Sequence, residues 1–323
     1  MRCRATRTDA DRFARYGRKV LLRRLETALQ RHPRTITRLR DLLEDSPGFA
    51  AAIWRLRSAQ RVHLDYPVRS APRYGHGKPA HPRLHELISR TNDAYAALLI
   101  AALDYREELA SIPAMPGVGS SLTSWRNGWL PPIDMVAHYT LIRSERPARY
   151  VEIGSGESTK LARMAVTDGG LPTEIISVDP FPRAEVNNLC DRVIRNRLED
   201  ADLAVFSDVQ PGDIVFFDGS HRSFMNSDVS VFFLEVLPEL PRGLLIGIHD
   251  IDLPWDYRPE WAIRYYNEQY LLAVHLLAAM PEIVFPSRHV AVTEALASIL
   301  DPLWADPRVP DMERVGGAFW FRT

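Results

Sequence analysis

The chain has 323 residues, 46% of them hydrophobic and 25% charged, with a net charge of −1, the balance of an ordinary soluble globular protein. No apolar run approaches the ~18–20 residues of a bilayer-spanning helix, and the Arg-rich N-terminus lacks the apolar core of a signal peptide. Two cysteines, Cys3 and Cys190, exclude a disulfide framework and a thiolate metal site, so a reducing cytoplasm is the expected location.

The charge is unevenly placed. Residues 1–40 hold thirteen Arg and Lys against Asp9, Asp11 and Glu26, or +10, leaving −11 on the remainder. A basic head can touch nucleic acid or an anionic surface. The near-exclusive use of Arg, beside much Ala and Pro, reads more simply as compositional bias, and nucleic-acid binding is not the expected role. Apolar residues at three- and four-residue spacing predict helices from Asp9 to about Arg31, from Thr35 to Leu43 and from Ser46 onward. A Pro-, Gly- and His-dense loop over 66–82 precedes a helix from about Arg83 to Leu109. Residues 1–112 are therefore expected as a helical extension that caps the rest or forms a surface for a homodimer or higher homo-oligomer. Residues 113–323 are expected as the main domain.

Ile112 to Pro132 is a second loop, whose aromatics and glycines (Gly117, Gly119, Trp125, Gly128, Trp129) either line a pocket or pack between subdomains. A helix capped by Asp134 then leads into Arg149-Tyr150-Val151-Glu152-Ile153-Gly154-Ser155-Gly156-Glu157-Ser158-Thr159-Lys160, a buried strand that turns sharply and restarts as a helix. Such a turn lets a ligand approach backbone N–H groups at a helix N-terminus. Strands then alternate with helices: Glu174–Val178, Arg192–Ile194, Asp213–Phe217, Gly243–Ile248, Ile283–Phe285 and Ala318–Phe321 are the predicted strands. Helices are expected over Lys160–Val166, Glu185–Leu189, Ala201–Phe206, Asn226–Val236, Pro259–Ala279 and Val290–Leu300. The alternation predicts an α/β fold with a mainly parallel sheet covered on both faces.

Ligands of open parallel sheets bind outside the carboxyl ends of the strands. Those ends here carry Gly154-Ser155-Gly156, Asp179, Asp218 with His221, and His249-Asp250. A dinucleotide fingerprint would need glycine where Thr159 stands. Glu152 through Ser158, E-x-G-x-G-x-S, with Asp179 closing the next strand, instead resembles the class I S-adenosylmethionine-dependent methyltransferases over about residues 130–323. The resemblance implies a Rossmann-like, seven-stranded, mainly parallel sheet with the last strand antiparallel. It also implies that Glu152, Gly154, Ser155, Gly156 and Ser158 hold the methionine part of S-adenosylmethionine, that Asp179 takes the ribose hydroxyls, and that Glu199 flanks the adenine, with Asp218 also at the cofactor.

Asp218-Gly219-Ser220-His221 and His249-Asp250, with Trp261 and Tyr266-Asn267-Glu268-Gln269-Tyr270-Leu271-Leu272, are similar to a subgroup holding macrolide sugar O-methyltransferases and cephalosporin hydroxylase-like relatives. By that resemblance Asp218 and Asp250 bind a divalent metal and His221 is the base. His249 stands where the sugar enzymes have Glu, and imidazole suits Mn, Zn or Fe better than Mg. The expected function is therefore O-methylation of a small-molecule hydroxyl, a sugar or glycosylated natural product. The competing reading is a non-catalytic S-adenosylmethionine-binding protein whose basic prefix docks on nucleic acid or a protein partner. Elsewhere His138 and His275 read as packed, His76 and His81 as solvated, and Leu253 to Pro259 as a lid whose Trp255 or Tyr257 stacks on a sugar ring.

Overall fold

A computed structural model describes residues 65–66, 68–117, 120–182 and 186–323. The helices expected between Asp9 and the segment opened by Ser46, and the start of that expected from Glu185, lie outside the described residues. The fold described here belongs to the compact unit Ser70–Thr323, inside which the expected boundary at residue 112 falls.

Short runs of β-branched and aromatic residues build seven strands: β1 (Arg149–Ile153), β2 (Glu174–Val178), β3 (Arg192–Ile194), β4 (Ile214–Phe217), β5 (Leu245–Ile248), β6 (Glu282–Pro286) and β7 (Phe319–Arg322). They form one sheet in the order β3-β2-β1-β4-β5-β7-β6. The neighbours among β1 to β5 pair in parallel, and β7 runs antiparallel to β5 and β6, as expected. β1, β2, β4 and β5 are buried along nearly their whole length, which requires cover on both faces. Phe216 stacks on Trp320 with ring centroids 5.2 Å apart, and Phe217 on Phe232 at 4.4 Å, so β4 is packed from either side. Sequence order reverses between β1 and β4, and the crevice beyond their carboxyl ends is where such sheets take ligands.

The helices depart from their periodicity where tertiary contacts intervene. The helix expected from Arg83 to Leu109 is broken into α1 (Pro82–Ser89), α2 (Asn92–Ala102) and short turns beyond. Tyr95 closes the break: its hydroxyl donates to the Ile88 carbonyl at 2.8 Å and accepts from Thr91 at 2.6 Å. His81 is a cap and not simply solvated, since its Nδ1 accepts from the Leu84 N–H at 3.3 Å. Next, α3 (Pro132–Glu145) packs against α4 (Glu157–Asp168). Between β3 and β4 the expected helix is only a 3₁₀ turn, Leu203–Phe206, and that expected over Asn226–Val236 widens from an α-turn into a π-turn at Phe232–Val236. The long helix expected over Pro259–Ala279 is two elements, a 3₁₀ turn Pro259–Arg264 and α5 (Glu268–Ala279). Tyr265 between them is left-handed with φ 53°. The break frees Asn267 to donate its N–H to the His221 carbonyl at 3.0 Å and to accept from the Ser223 N–H at 2.6 Å.

Candidate active site

The turn after β1 is built by groups that face inward. Both oxygens of buried Glu152 accept hydroxyl hydrogen bonds, one from Ser158 and one from Thr159 at 2.6 Å. Thr159 in turn accepts the Gly156 N–H at 2.9 Å, which is why a hydroxyl residue stands where a dinucleotide site has glycine. Ser155 hydrogen-bonds Ser177 on β2 through their hydroxyls at 2.7 Å. Glu152, Ser155 and Ser158 therefore shape the turn with their side chains. Gly154 has φ +83°, and a Cβ there would lie 1.8 Å from the Asp218 carbonyl oxygen, so glycine is demanded by the neighbouring strand end. Gly156 is extended, with nothing within 4 Å of where its Cβ would stand, and this is the open side of the turn.

Asp179 caps the same opening. Its carboxylate accepts the Ser155 N–H at 2.7 Å and the Phe181 N–H at 2.7 Å, one on each oxygen. Each oxygen keeps lone-pair capacity for a further donor such as a ribose hydroxyl. Glu199 lies half-buried in the turn Leu198–Asp200 beyond β3.

Burial pushes the Glu152 carboxyl up to about 8, against the pull of the Ser158 and Thr159 hydroxyls. An unfolded chain releases that proton near the ordinary value of 4.5, so between about 4.5 and about 8 the native state binds more protons. Stability is thus expected to fall as pH rises through that window. Glu152→Gln should flatten this part of the stability-versus-pH curve in urea titrations, and an unchanged slope would contradict the assignment.

At the ends of β4 and β5, four ionisable side chains meet. Asp218 Oδ1 lies 3.3 Å from His221 Nε2 and 3.4 Å from His249 Nδ1. Asp250 presents Oδ2 to His221 Nε2 at 3.3 Å and Oδ1 to His249 Nδ1 at 3.7 Å. The carboxylates are the open side, with side chains 18% and 21% exposed against 3% and 6% for the imidazoles. His221 (φ 61°) and Asp250 (φ 55°) both sit in the left-handed region, an uncommon backbone that tends to gather at functional sites. Burial works against charge on both imidazoles, but the surrounding carboxylates, Asp250, Asp218 and Glu268 for His221, and Asp218, Asp134 and Asp250 for His249, hold them well above the ordinary histidine value. In return, and despite burial, His249 and His221 hold Asp218 well below the usual carboxylate range.

Residues 151–251, spanning the turn and this cluster, match a family model described as a methyltransferase domain. The chain carries a methyltransferase domain. No curated protein matches the sequence. Among solved structures, similarity is found to the O-methyltransferase TomG of Streptomyces achromogenes, involved in tomaymycin synthesis and solved with S-adenosylmethionine, at 18% identity and a TM-score of 0.30. That match covers 44% of this chain and 66% of the other, so it spans just under two thirds of that protein's length. The Podospora anserina methyltransferase PaMTH1, bound to S-adenosylhomocysteine, matches at 17% identity over 69% of this chain and 87% of that one, with a TM-score of 0.32. The plantazolicin methyltransferase BpumL, in complex with S-adenosylhomocysteine, matches at 12% over 75% and 99%, with a TM-score of 0.36.

Beside the matched residues, two buried carboxylates that sequence reasoning did not place at the site, Glu268 and Asp134, stand behind the imidazoles. Glu268 Oε2 is 2.9 Å from His221 Nδ1, while its Oε1 has no hydrogen-bond partner among the described residues. Burial raises Glu268 to about 7, opposed by His221. Asp134, read as a helix cap, instead accepts the N–H groups of Gly317 and Ala318 at 2.9–3.0 Å and stands 3.4 Å from His249 Nε2, at ion-pair distance without hydrogen-bond alignment. Each imidazole thus has its outer nitrogen toward a buried carboxylate and its inner nitrogen toward Asp218 and Asp250. Two aspartates and two imidazoles suit Mn, Fe or Zn better than Mg, and outer carboxylates are the usual support of metal-bound histidines. Among the described residues no group of three or more His, Cys, Asp or Glu is spaced to hold a metal ion as the side chains stand; the four groups contact one another.

The expected lid over Leu253 to Pro259 is a packed wall. Tyr257 is buried and accepts the Gln269 N–H at 3.2 Å, Arg258 pairs with buried Asp252 at 3.1 Å, and the Pro254 carbonyl accepts the His81 N–H at 3.0 Å. Trp255, half-buried, lies directly against Gly75, and buried Tyr257 is not free to stack on a sugar. His138 is packed as expected, paired with the Tyr150 hydroxyl at 2.9 Å and pushed by burial down to about 3, and His275 packs on Phe321 at 5.5 Å. In the loop 112–132, Trp125 is buried edge-on against Trp304, so this ring packs and does not line a pocket. No described helix is long and apolar enough to cross a membrane.

Proposed function

We propose that the domain transfers a methyl group from S-adenosylmethionine to a hydroxyl of a small molecule, with sugars and glycosylated compounds as the acceptor class. The observation that carries this reading is the adjacency, on neighbouring strands, of an open turn at Gly156, a receptive carboxylate at Asp179 and the carboxylate–imidazole cluster beyond β4 and β5. The domain match supports the reaction class. The turn residues Gly154, Ser155 and Gly156, shaped by Glu152 and Ser158, would receive the methionine part, Asp179 the ribose diol, and Glu199 the adenine flank.

In methyl transfer the acceptor oxygen attacks the methyl carbon in line, the carbon–sulfur bond breaks, sulfur keeps the electron pair as a neutral thioether, and the hydroxyl proton leaves. The cofactor brings its own leaving group, so the protein must align the oxygen and receive the proton. His221 is assigned as base: Glu268 fixes its Nδ1, which leaves Nε2 facing the open carboxylates. Asp218, Asp250 and His249 would hold a divalent cation, which would polarise the acceptor oxygen and, by meeting the carboxylate charge, let His221 enter neutral.

Incubation with S-adenosylmethionine and a panel of glycosides should release S-adenosylhomocysteine in step with an acceptor heavier by one CH₂, and His221→Ala should abolish both. Cofactor binding with no methylated hydroxyl product from any acceptor would overturn the reading. Chelator dialysis is expected to lower turnover about tenfold or more, as should loss of the supporting Asp134 carboxylate. Turnover unaffected by chelator, from protein holding no transition metal by elemental analysis, would remove the cation.

A further inference from the structure

We propose that the acceptor carries an oxyanion, a carboxylate or a phosphate, held by Arg222 and Arg264 beside the ring of Tyr266. The word acceptor rests on the methyl-transfer reading; the anion site does not.

The break before α5 creates this corner. It is tied down by the bonds from Asn267 to His221 and Ser223 already described, and by Arg222 Nε donating to the Arg264 carbonyl at 2.8 Å. The Tyr266 ring lies 4.7 Å from the His221 ring, which places the corner in contact with the reacting centre. The Arg222 guanidinium lies 4.9 Å from the Tyr266 centroid and that of Arg264 5.4 Å, and Arg264 also lies 4.8 Å from Trp261.

Three arginines crowd these rings, and among the described residues one of them has a carboxylate counter-ion. Arg258, over Trp261 at 4.3 Å, has Asp252 as its counter-ion. Among the described residues the Arg222 guanidinium bonds to the Ser220 and Arg264 carbonyls, and that of Arg264 to the Tyr266 hydroxyl at 3.3 Å. Among the described residues neither has a carboxylate partner. Two unpaired like charges directed at one ring repel each other unless an anion comes between them. A guanidinium offers five N–H donors in a planar fork, and most of those on Arg264 and part of those on Arg222 remain available for a carboxylate or phosphate. Arg264 is exposed and Tyr266 half-buried, so the corner opens to solvent. An acceptor anchored here by its anion would bring a hydroxyl a ring's width away to the Asp218–His221–Asp250 edge. Hydroxy acids, including acidic sugars, and hydroxylated phosphate esters have that form.

The full-length protein can be titrated with benzoate, phenyl phosphate and the neutral isostere benzamide, followed by ligand-detected NMR. At least one anion is expected to bind roughly tenfold or more tightly than benzamide, and which anion is preferred distinguishes carboxylate from phosphate. The double variant Arg222→Gln/Arg264→Gln should lose that preference with S-adenosylmethionine affinity unchanged and a melting temperature lower by no more than about 4 °C, the effect of losing the Arg222 bond that ties the corner. Should the double variant not fold, Arg264→Gln alone, at an exposed position, should weaken the preferred anion about threefold or more. Equal binding of benzoate, phenyl phosphate and benzamide by the wild type, or a preference that survives both substitutions, would overturn the proposal. Anion binding in a protein that fails to bind S-adenosylmethionine would instead overturn the methyl-transfer reading and leave the anion site standing.

Discussion

Asp218→Asn is expected to lower turnover by about 10²–10⁴-fold, the range for removing a group that supports proton transfer. The substitution keeps the shape and removes the charge. Asp218 Oδ1 is the one oxygen shared by His221 Nε2 at 3.3 Å and His249 Nδ1 at 3.4 Å, so both imidazoles lose a counter-ion at once. Breaking a buried ion pair from one side costs about 3–5 kcal/mol when the remaining charge is trapped. Here the imidazoles can release their protons, and about 2–4 kcal/mol is expected for metal-free protein near neutral pH. The sign of the pH dependence follows from the same charges. His221 and His249 are held above their ordinary 6.5, so their contribution is fully present below that value and is lost as pH rises through the raised folded values. Urea titrations at acid and alkaline pH, with turnover measured on the same samples, check both effects. A variant as stable and as active as wild type would show that the cluster is incidental.

Gly154→Ala is expected to be the most damaging single methyl group that can be added to the fold. Its Cβ would need space 1.8 Å from the Asp218 carbonyl oxygen, and the backbone at φ +83° disfavours any side chain. Because the obstacle is backbone, neither strand end can yield without moving Asp218. A loss of about 3 kcal/mol or more follows, with a fall in melting temperature of about 6–12 °C for a unit of this size. Gly156→Ala separates the two duties of the turn. That position is extended and open, so stability should change by less than about 0.5 kcal/mol, whereas the methyl group would occupy the space assigned to the cofactor and weaken its binding. Thermal melts of both variants, with and without S-adenosylmethionine, test the pair. A destabilised Gly156→Ala with unchanged cofactor affinity would assign the open space to folding and not to a ligand.

The sheet was legible in the sequence because its strands are short apolar runs closed by polar ends. Glu174–Val178 and Arg192–Ile194 have the bounds their composition predicts, and Asp179, Asp218, His221, His249 and Asp250 stand where the reading of strand ends put them. Helix boundaries were less legible where distant contacts overrule periodicity. The stretch Pro259–Ala279 has an uninterrupted helical pattern, yet Asn267 leaves the helix to bind His221 and Ser223 from another part of the chain. Asp134 escaped notice for the same reason, because its partners, Gly317 and Ala318, lie 183 and 184 residues away. Its position before an apolar helix gave only the signal of a cap. Glu268 was visible within the Tyr266-Asn267-Glu268 motif, but nothing local to it says that it faces His221. Gly154 was readable as a turn glycine, while its actual neighbour, the Asp218 backbone, was not.

The most direct test of the central claim, that the turn after β1 and Asp179 hold S-adenosylmethionine above the cluster, is calorimetric titration of the cofactor into wild type and Asp179→Ala. Wild type should bind one equivalent per chain, and the variant, lacking the carboxylate that faces the ribose, should bind about tenfold or more weakly with its melting temperature little changed. No heat with wild type, or equal affinity in the two proteins, would contradict it.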